Sequence, residues 1–250
     1  MKTAFLLLSA ALALPAWADT SFIVTPENDV ALGAARQGNV LLWREMLKLG
    51  ASPQARDASG NNALVMAVLG EHEDMLREVL SHGVDVNARG DVGMTALSIA
   101  VTRDHLDMVR RLLNAGARPD VPDATGATPL AIATRAGRND MVKLLLQAGA
   151  DPDRADELRI TPLHLAAERG NLAAITALLD ADANPNVLDR EQRSPLFAAL
   201  FEQQTQAAAL LIRHRHTDLR LLTQGDTPRS WAGKTGHDEL VALIDQRLSR

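Results

Sequence analysis

The sequence predicts an all-α solenoid in which helix-turn-helix units, joined by hairpin loops, stack with a period of 33 residues. Three observations carry this. The stretches NALVMA from Asn62, TALSIA from Thr95, TPLAIA from Thr128, TPLHLA from Thr161, SPLFAA from Ser194 and TPRSWA from Thr227 begin 33 residues apart without a gap. A fixed period of this size marks a chain of stacked repeats. Gly50, Gly83, Gly116 and Gly149 keep the same interval, with Asp182 next in line. Finally, one column reads Ala34, Ala67, Ala100, Ala133, Ala166, Ala199 and Ala232. An alanine in every unit implies that neighbouring helices approach too closely there for a larger side chain.

Taken in order, the chain opens with MKTAFLLLSAALALPAWADT. Lys2, the apolar run Ala4 to Leu14, Pro15 and the small residues Ala16 and Ala18 read as a cleavable signal peptide over residues 1–18. The apolar run is shorter than the roughly 20 residues needed to span a bilayer, so no membrane insertion is expected. Export to the periplasm, or alternatively secretion, follows, with the mature chain starting at Asp19. The chain has no cysteine, so an oxidising compartment is tolerated without being used for disulfides. Residues 19–28 form a lead-in in which Phe22, Ile23 and Val24 are expected to fold over the first helices. A single repeat domain then occupies 29–250. It comprises a helical pair at 29–56, units at 57–89, 90–122, 123–155, 156–188 and 189–221, and a shortened unit at 222–250.

Within each unit the residue types explain two short antiparallel helices and a turn. Thr128 or Thr161 caps the first helix, and Pro129 or Pro162 at the next position loses nothing by lacking an N–H. Gly137 and Gly170 suit the turn into the second helix, while Gly116 and Gly149 supply the positive φ that ends it. Glu71, Asp104 and Gln203 replace the first of these glycines and Asp182 the second, so those units are expected to be locally weaker. The second-helix columns Trp43, Leu76, Val109, Val142, Ile175, Ala208, Val241 and Met46, Val79, Leu112, Leu145, Leu178, Leu211, Ile244 form the apolar core that stacking buries. Trp43, Met75, Met108 and Met141 therefore read as core. Arg229 stands where other units have leucine, which suits a terminal unit with no neighbour to cover it.

The fullest units, DATGATPLAIATRAGRNDMVKLLLQAGADPD from Asp123 and RITPLHLAAERGNLAAITALLDADANPN from Arg159, resemble the ankyrin repeat of exported bacterial proteins. The resemblance implies a non-catalytic scaffold that grips a partner protein on its concave face. It implies the same for His164, the fourth residue of TPLH, as a group that hydrogen-bonds turn backbone and ties adjacent units together.

Little in the sequence points to catalysis. The column of His164 otherwise holds Val65, Ser98, Ala131, Phe197 and Ser230, so no second unit supplies the partner that a general base needs. His214 and His216, two apart, are expected on different faces of a helix with no third ligand. The turn Glu71-His72-Glu73-Asp74 reads as solvated. No HExxH, G-x-S-x-G or phosphate-loop motif occurs, which leaves an enzyme only a composite site across units. No cofactor and no metal are expected. A net charge of −5, becoming −6 once Lys2 is removed, disfavours nucleic acid as a partner.

Two features mark a surface. The tip columns Asn61, Met94, Ala127, Ile160, Arg193, Asp226 and Ser59, Val92, Thr125, Leu158, Glu191, Gln224 are as varied as the alanine column is uniform. So is the inner-helix column Arg36, Leu69, Thr102, Arg135, Glu168, Phe201, Lys234. Leu158, Ile160 and Phe201 are expected as exposed apolar anchors ringed by Arg135, Arg159, Glu168, Arg169, Arg190, Arg193 and Glu202, a composition typical of binding hot spots. The expected function is protein binding, as an inhibitor, immunity partner or adaptor, with support of periplasmic peroxide and catalase defence as the alternative. The polar ends of the stack predict a monomer in the absence of a partner.

Overall fold

The computed structural model describes residues 25–249. Residues 1–18, read above as a signal peptide, and the placement of Phe22, Ile23 and Val24 lie outside the described residues. Within them, fourteen α-helices form seven pairs and no sheet is built. The pairs are α1 (Pro26–Gln37) with α2 (Val40–Lys48), α3 (Ala63–Leu69) with α4 (Glu73–Ser81), α5 (Ala96–Thr102) with α6 (Leu106–Asn114), and α7 (Pro129–Arg135) with α8 (Asn139–Gln147). They continue as α9 (Pro162–Glu168) with α10 (Leu172–Asp180), α11 (Pro195–Phe201) with α12 (Thr205–Arg213), and α13 (Pro228–Lys234) with α14 (Asp238–Leu248). Odd-numbered helices stack on one another as an inner layer and even-numbered ones as an outer layer.

Helices of seven or nine residues are too short to persist alone, so their ends and their packing must hold them. Each inner helix from α3 onward begins on a residue whose side-chain oxygen accepts a hydrogen bond from the N–H three positions on: Asn62, Thr95, Thr128, Thr161, Ser194 and Thr227. Proline follows the cap in α7, α9, α11 and α13. The turn into the outer helix is left-handed whether or not glycine is present: φ is +72° at Gly137 and +65° at Gly170, against +62° at Glu71, +65° at Asp104 and +54° at Gln203. The fold imposes this geometry, and each non-glycine there costs roughly 1–2 kcal/mol. The seven column alanines are all buried, as are Trp43, Met75, Met108 and Met141. Met46 and Val241, at the two ends of their columns, are half-buried because neighbours cover them on one side only.

Three details depart from the simple period. First, α1 starts at Pro26, capped by Thr25, rather than at Asp29, because a Thr-Pro start lies four residues ahead of the ruler. Second, the turn after α12 holds one extra residue. Asp120 and Asp153 accept from backbone N–H groups 31 residues on, at Asp151 and Asn184. Asn186 accepts instead from Asp218, 32 residues on. His214 ends α12 in an extended conformation, and no left-handed residue follows where Asp182 stands one unit earlier, at φ +61°.

Third, the last hairpin is one residue shorter, which restores the period at Thr227. Thr223 and Asp226 pair across Gln224 and Gly225, both left-handed, a two-residue turn of the kind that suits twisted hairpins. Earlier hairpins instead fold around a carboxylate: Asp57, Asp123, Asp156 and Asp189 each accept from the N–H groups two and four residues on.

Candidate functional site: the inner-helix and hairpin-tip face

The inner-helix column is solvent-facing along nearly the whole stack: Arg36, Thr102, Arg135, Glu168, Phe201 and Lys234 are exposed and Leu69 is half-buried. The tip column Ser59, Val92, Thr125, Leu158, Glu191, Gln224 is exposed throughout. Its neighbour is not, which corrects the expectation for that column. Asn61 and Ala127 are buried and Met94, Ile160, Arg193 and Asp226 half-buried, because this residue closes the hairpin against the next unit. Its variety reflects local bonding: the Asn61 Nδ2 donates to Asp57 at 3.0 Å, and its Oδ1 accepts from the Asp91 N–H at 3.0 Å.

The candidate residues sort accordingly. Leu158 stands 53 % exposed at a hairpin tip. Arg159, Arg169 and Arg190 are exposed and pair with no carboxylate among the described residues. Arg135 lies 3.9 Å from the carboxylate of Asp156, and Glu168 and Glu202 are exposed. Two residues fit the proposed ring less well. Ile160 is half-buried, and Arg193 is held by Asp189, with its Nε 2.9 Å from Oδ2 and a terminal nitrogen 2.8 Å from the same oxygen. Because Asp189 is buried, this arginine neutralises an internal carboxylate and is not a free anchor.

Phe201 is only partly available, at 36 % exposed, because its ring stacks on Trp231 of the next unit, centroids 4.5 Å apart at 23°. Trp231 was not anticipated as part of this surface. Its signal was an indole at a position where the other units carry Gly33, Met66, Ile99, Ile132, Leu165 and Ala198.

A second feature of the same face lies among the first units, whose varied columns the sequence showed but where it suggested no anchor residue. Met66, Leu69, Val92, Met94 and Ile99 line a 490 Å³ groove flanked by Arg36 and Arg103. Val92 is 63 % exposed with φ +46°, an unfavourable conformation for a β-branched residue. Its cause is local. Gly90 replaces the hairpin aspartate, so the loop closes as a tight turn over Asp91–Gly93, locked by the Ala124 N–H donating to the Val92 carbonyl at 2.9 Å.

His164 is buried and fully used. Its Nε2 faces the carbonyl oxygen of Arg193 at 3.0 Å, which can only accept, so Nε2 carries the proton. Nδ1 then accepts from the Thr161 N–H at 3.2 Å and from the Thr161 hydroxyl at 2.8 Å. Burial lowers the imidazole pKa below its ordinary value, opposed by the bond to Arg193. A neutral ring with both nitrogens engaged is a strut, as the resemblance implied. His214 and His216 do meet, with ring centroids 5.6 Å apart. The expectation that they sit on different helix faces fails because α12 has ended at Arg213. No group of three metal-ligating side chains forms among the described residues, and no described helix is long and apolar enough to cross a membrane.

One bonding pattern escaped the sequence reading. Gln54, Asn87, Asp120, Asp153 and Asn186, 33 apart, each accept through a side-chain oxygen from a backbone N–H of the following unit. The uniform Asn/Asp/Gln character of that column was the available signal. Comparison with curated proteins finds no match. The family model for ankyrin repeats, described as three copies, matches residues 31–123, 89–156 and 163–247. With those matches spanning most of the chain and seven stacked helix pairs beneath them, this protein belongs to the ankyrin-repeat family.

Proposed function

We propose that this chain is a non-catalytic, exported binding protein that holds a partner protein on the face made by its inner helices and hairpin tips, as an inhibitor, immunity partner or adaptor in the periplasm. Ankyrin repeats are protein-binding scaffolds, which supports the general reading. The observation that carries the choice of surface is the set Arg159, Arg169 and Arg190. These arginines are exposed and have no carboxylate partner among the described residues, and they belong to the units that also present the exposed Leu158 and the partly exposed Phe201. Arginine and aromatic groups around an apolar anchor are the usual makers of affinity at an interface. The complementary partner presents an apolar side chain flanked by carboxylates. Export rests on MKTAFLLLSAALALPAWADT.

The test is affinity purification of the tagged mature chain from the periplasm beside a Leu158→Glu/Arg190→Glu variant. Arg190 is chosen over Phe201 because Phe201 also supports Trp231. A partner that is retained by the parent and lost by the variant is the expected result. A partner retained equally by both would show that the surface is wrong. Mass spectrometry of the purified chain checks export: the expected N-terminus is Asp19, and an intact Met1 in the periplasmic fraction would contradict cleavage.

A further inference from the structure

The last unit is held differently from the others. In earlier units a left-handed residue closes each outer helix; the Gly116 and Ala117 N–H groups, for example, donate to the carbonyls of Leu113 and Leu112. After α12 no such residue follows. The carbonyls of Ile212, Arg215 and Thr217 are instead all taken by one guanidinium, that of Arg247 in α14, at 2.6, 2.8 and 2.9 Å. A cleft of 520 Å³, lined by Arg213, Arg215, Leu243 and Gln246, opens beside this clasp.

Orphaned polar groups gather at the same seam. Among the described residues, the buried side-chain atoms without a hydrogen-bond partner are His214 Nδ1, Thr217 Oγ1, Trp231 Nε1 and His105 Nε2. The last lies 3.3 Å from the Glu71 carboxylate; the other three sit where the final unit meets its neighbour. A polar group left unsatisfied opposes the contact that buries it. The apolar gain is also small, since α13 buries only Pro228 and Ala232 where α11 buries six residues.

His214 makes this balance respond to protons. Its ring is half-buried and its centroid lies 5.6 Å from that of His216. The other charged groups acting on it are Arg215 beside it, Arg247 from α14 and Asp180 from α10. Asp245, near the same end of α14, is engaged by Arg229. An imidazolium carries a proton on both nitrogens, so charging His214 puts an N–H at the buried Nδ1, where no acceptor stands. Burial holds the pKa of the closed form below its ordinary value; His216, Arg215 and Arg247 add to this and Asp180 opposes it. Opening returns the ring to water and removes Arg247, so the open form protonates near pH 6.5. Closure is therefore favoured above about pH 6.5 and lost as pH falls below it, the open population rising by up to about tenfold per pH unit.

We propose that α13 and α14 form an end unit that opens when His214 takes up a proton, baring Phe201. Trp231 leaves with α13, and with it the ring that stacks on Phe201 at 4.5 Å. Acid thereby enlarges the apolar part of the inner-helix face. This last consequence rests on the proposed binding face; the opening does not, and the experiment reads the opening alone.

Amide hydrogen exchange of the purified chain, followed by mass spectrometry from about pH 7.5 to about pH 5 and corrected for the intrinsic pH dependence of exchange, tests it. Protection of α13 and α14 is expected to fall by up to about tenfold per pH unit below about pH 6.5, with α5 to α8 changing far less. His214→Ala, which copies Ala115, Ala148 and Ala181 of the same column, should abolish the fall, and His214→Gln should do the same. Arg247→Gln should lower the protection of α13 and α14 already at pH 7.5. Equal changes in both regions of the parent overturn the inference. So does a pH dependence that persists in both His214 variants, or an Arg247→Gln chain as protected as the parent.

Discussion

His164 Nε2 donates to the carbonyl oxygen of Arg193 at 3.0 Å, a side-chain strut between two successive units, while its Nδ1 accepts from the Thr161 cap. Ser98, at the same place two units earlier, makes the local half of this arrangement: its hydroxyl oxygen accepts from the Thr95 N–H at 2.8 Å. The hydroxyl then donates back to the Thr95 carbonyl at 3.0 Å, with no bond to the next unit. The pair separates capping from bridging. His164→Ser should keep the cap and lose the bridge, at a cost of about 1 kcal/mol. His164→Ala loses the bridge and the side-chain bond back to the Thr161 N–H and should cost about 2–3 kcal/mol, lowering the melting temperature by roughly 2–4 °C per kcal/mol in a chain of this size. Thermal denaturation followed at 222 nm ranks the two variants; equal losses would show that the bridge contributes nothing.

The same histidine makes stability depend on pH. Burial holds the folded imidazole neutral and pushes its pKa below the ordinary value, whereas the unfolded chain protonates it near pH 6.5. Below that pH the unfolded state binds more protons, so stability is fully present above about pH 6.5 and is lost as pH falls through and below it. His214 adds an effect of the same sign, its pKa lowered first by burial and then by His216. Urea midpoints measured from pH 8 to pH 5 should fall for the parent chain and fall less for His164→Ser. Parallel curves would assign the slope elsewhere.

Gly70 occupies a position at which other units carry Gln37, Arg103, Ala136, Arg169, Glu202 and Thr235, and its φ of −84° is open to any residue. A Cβ there would nonetheless sit 2.0 Å from the Arg36 carbonyl oxygen. Gly70→Ala is therefore expected to destabilise by about 1–3 kcal/mol, although glycine to alanine at an ordinary φ usually stabilises by a few tenths to about 1 kcal/mol. Chemical denaturation decides between the two signs.

Val92 offers the converse case. Asparagine tolerates the left-handed region far better than a β-branched residue, and Val92 is too exposed to contribute much burial. Val92→Asn should raise stability by about 1 kcal/mol. If the same change weakens partner capture, the strained tip and the groove beside it belong to the binding face. An unchanged melting temperature would mean that the tip relaxes without cost.

Periodicity by itself determined the architecture of this protein: the number of helix pairs, the alanine seam and the buried second-helix columns. Those features are written as columns because stacking repeats the same steric demand every 33 residues, and a demand met repeatedly leaves a uniform residue type. Only the tertiary structure decided matters that depend on a residue's particular neighbours. It seats Phe201 on Trp231 and commits Arg193 to Asp189. It closes the Asn61 column into the hairpins, and it brings Met66, Val92 and Met94 together beside Arg36. The aromatic stack and the groove join residues about 30 positions apart, whereas Arg193 and Asn61 bond a carboxylate four residues away, and in each case the contact depends on one pair of neighbours. Their chemistry is set by which side chains meet across one interface, and a period carries no record of a contact made once.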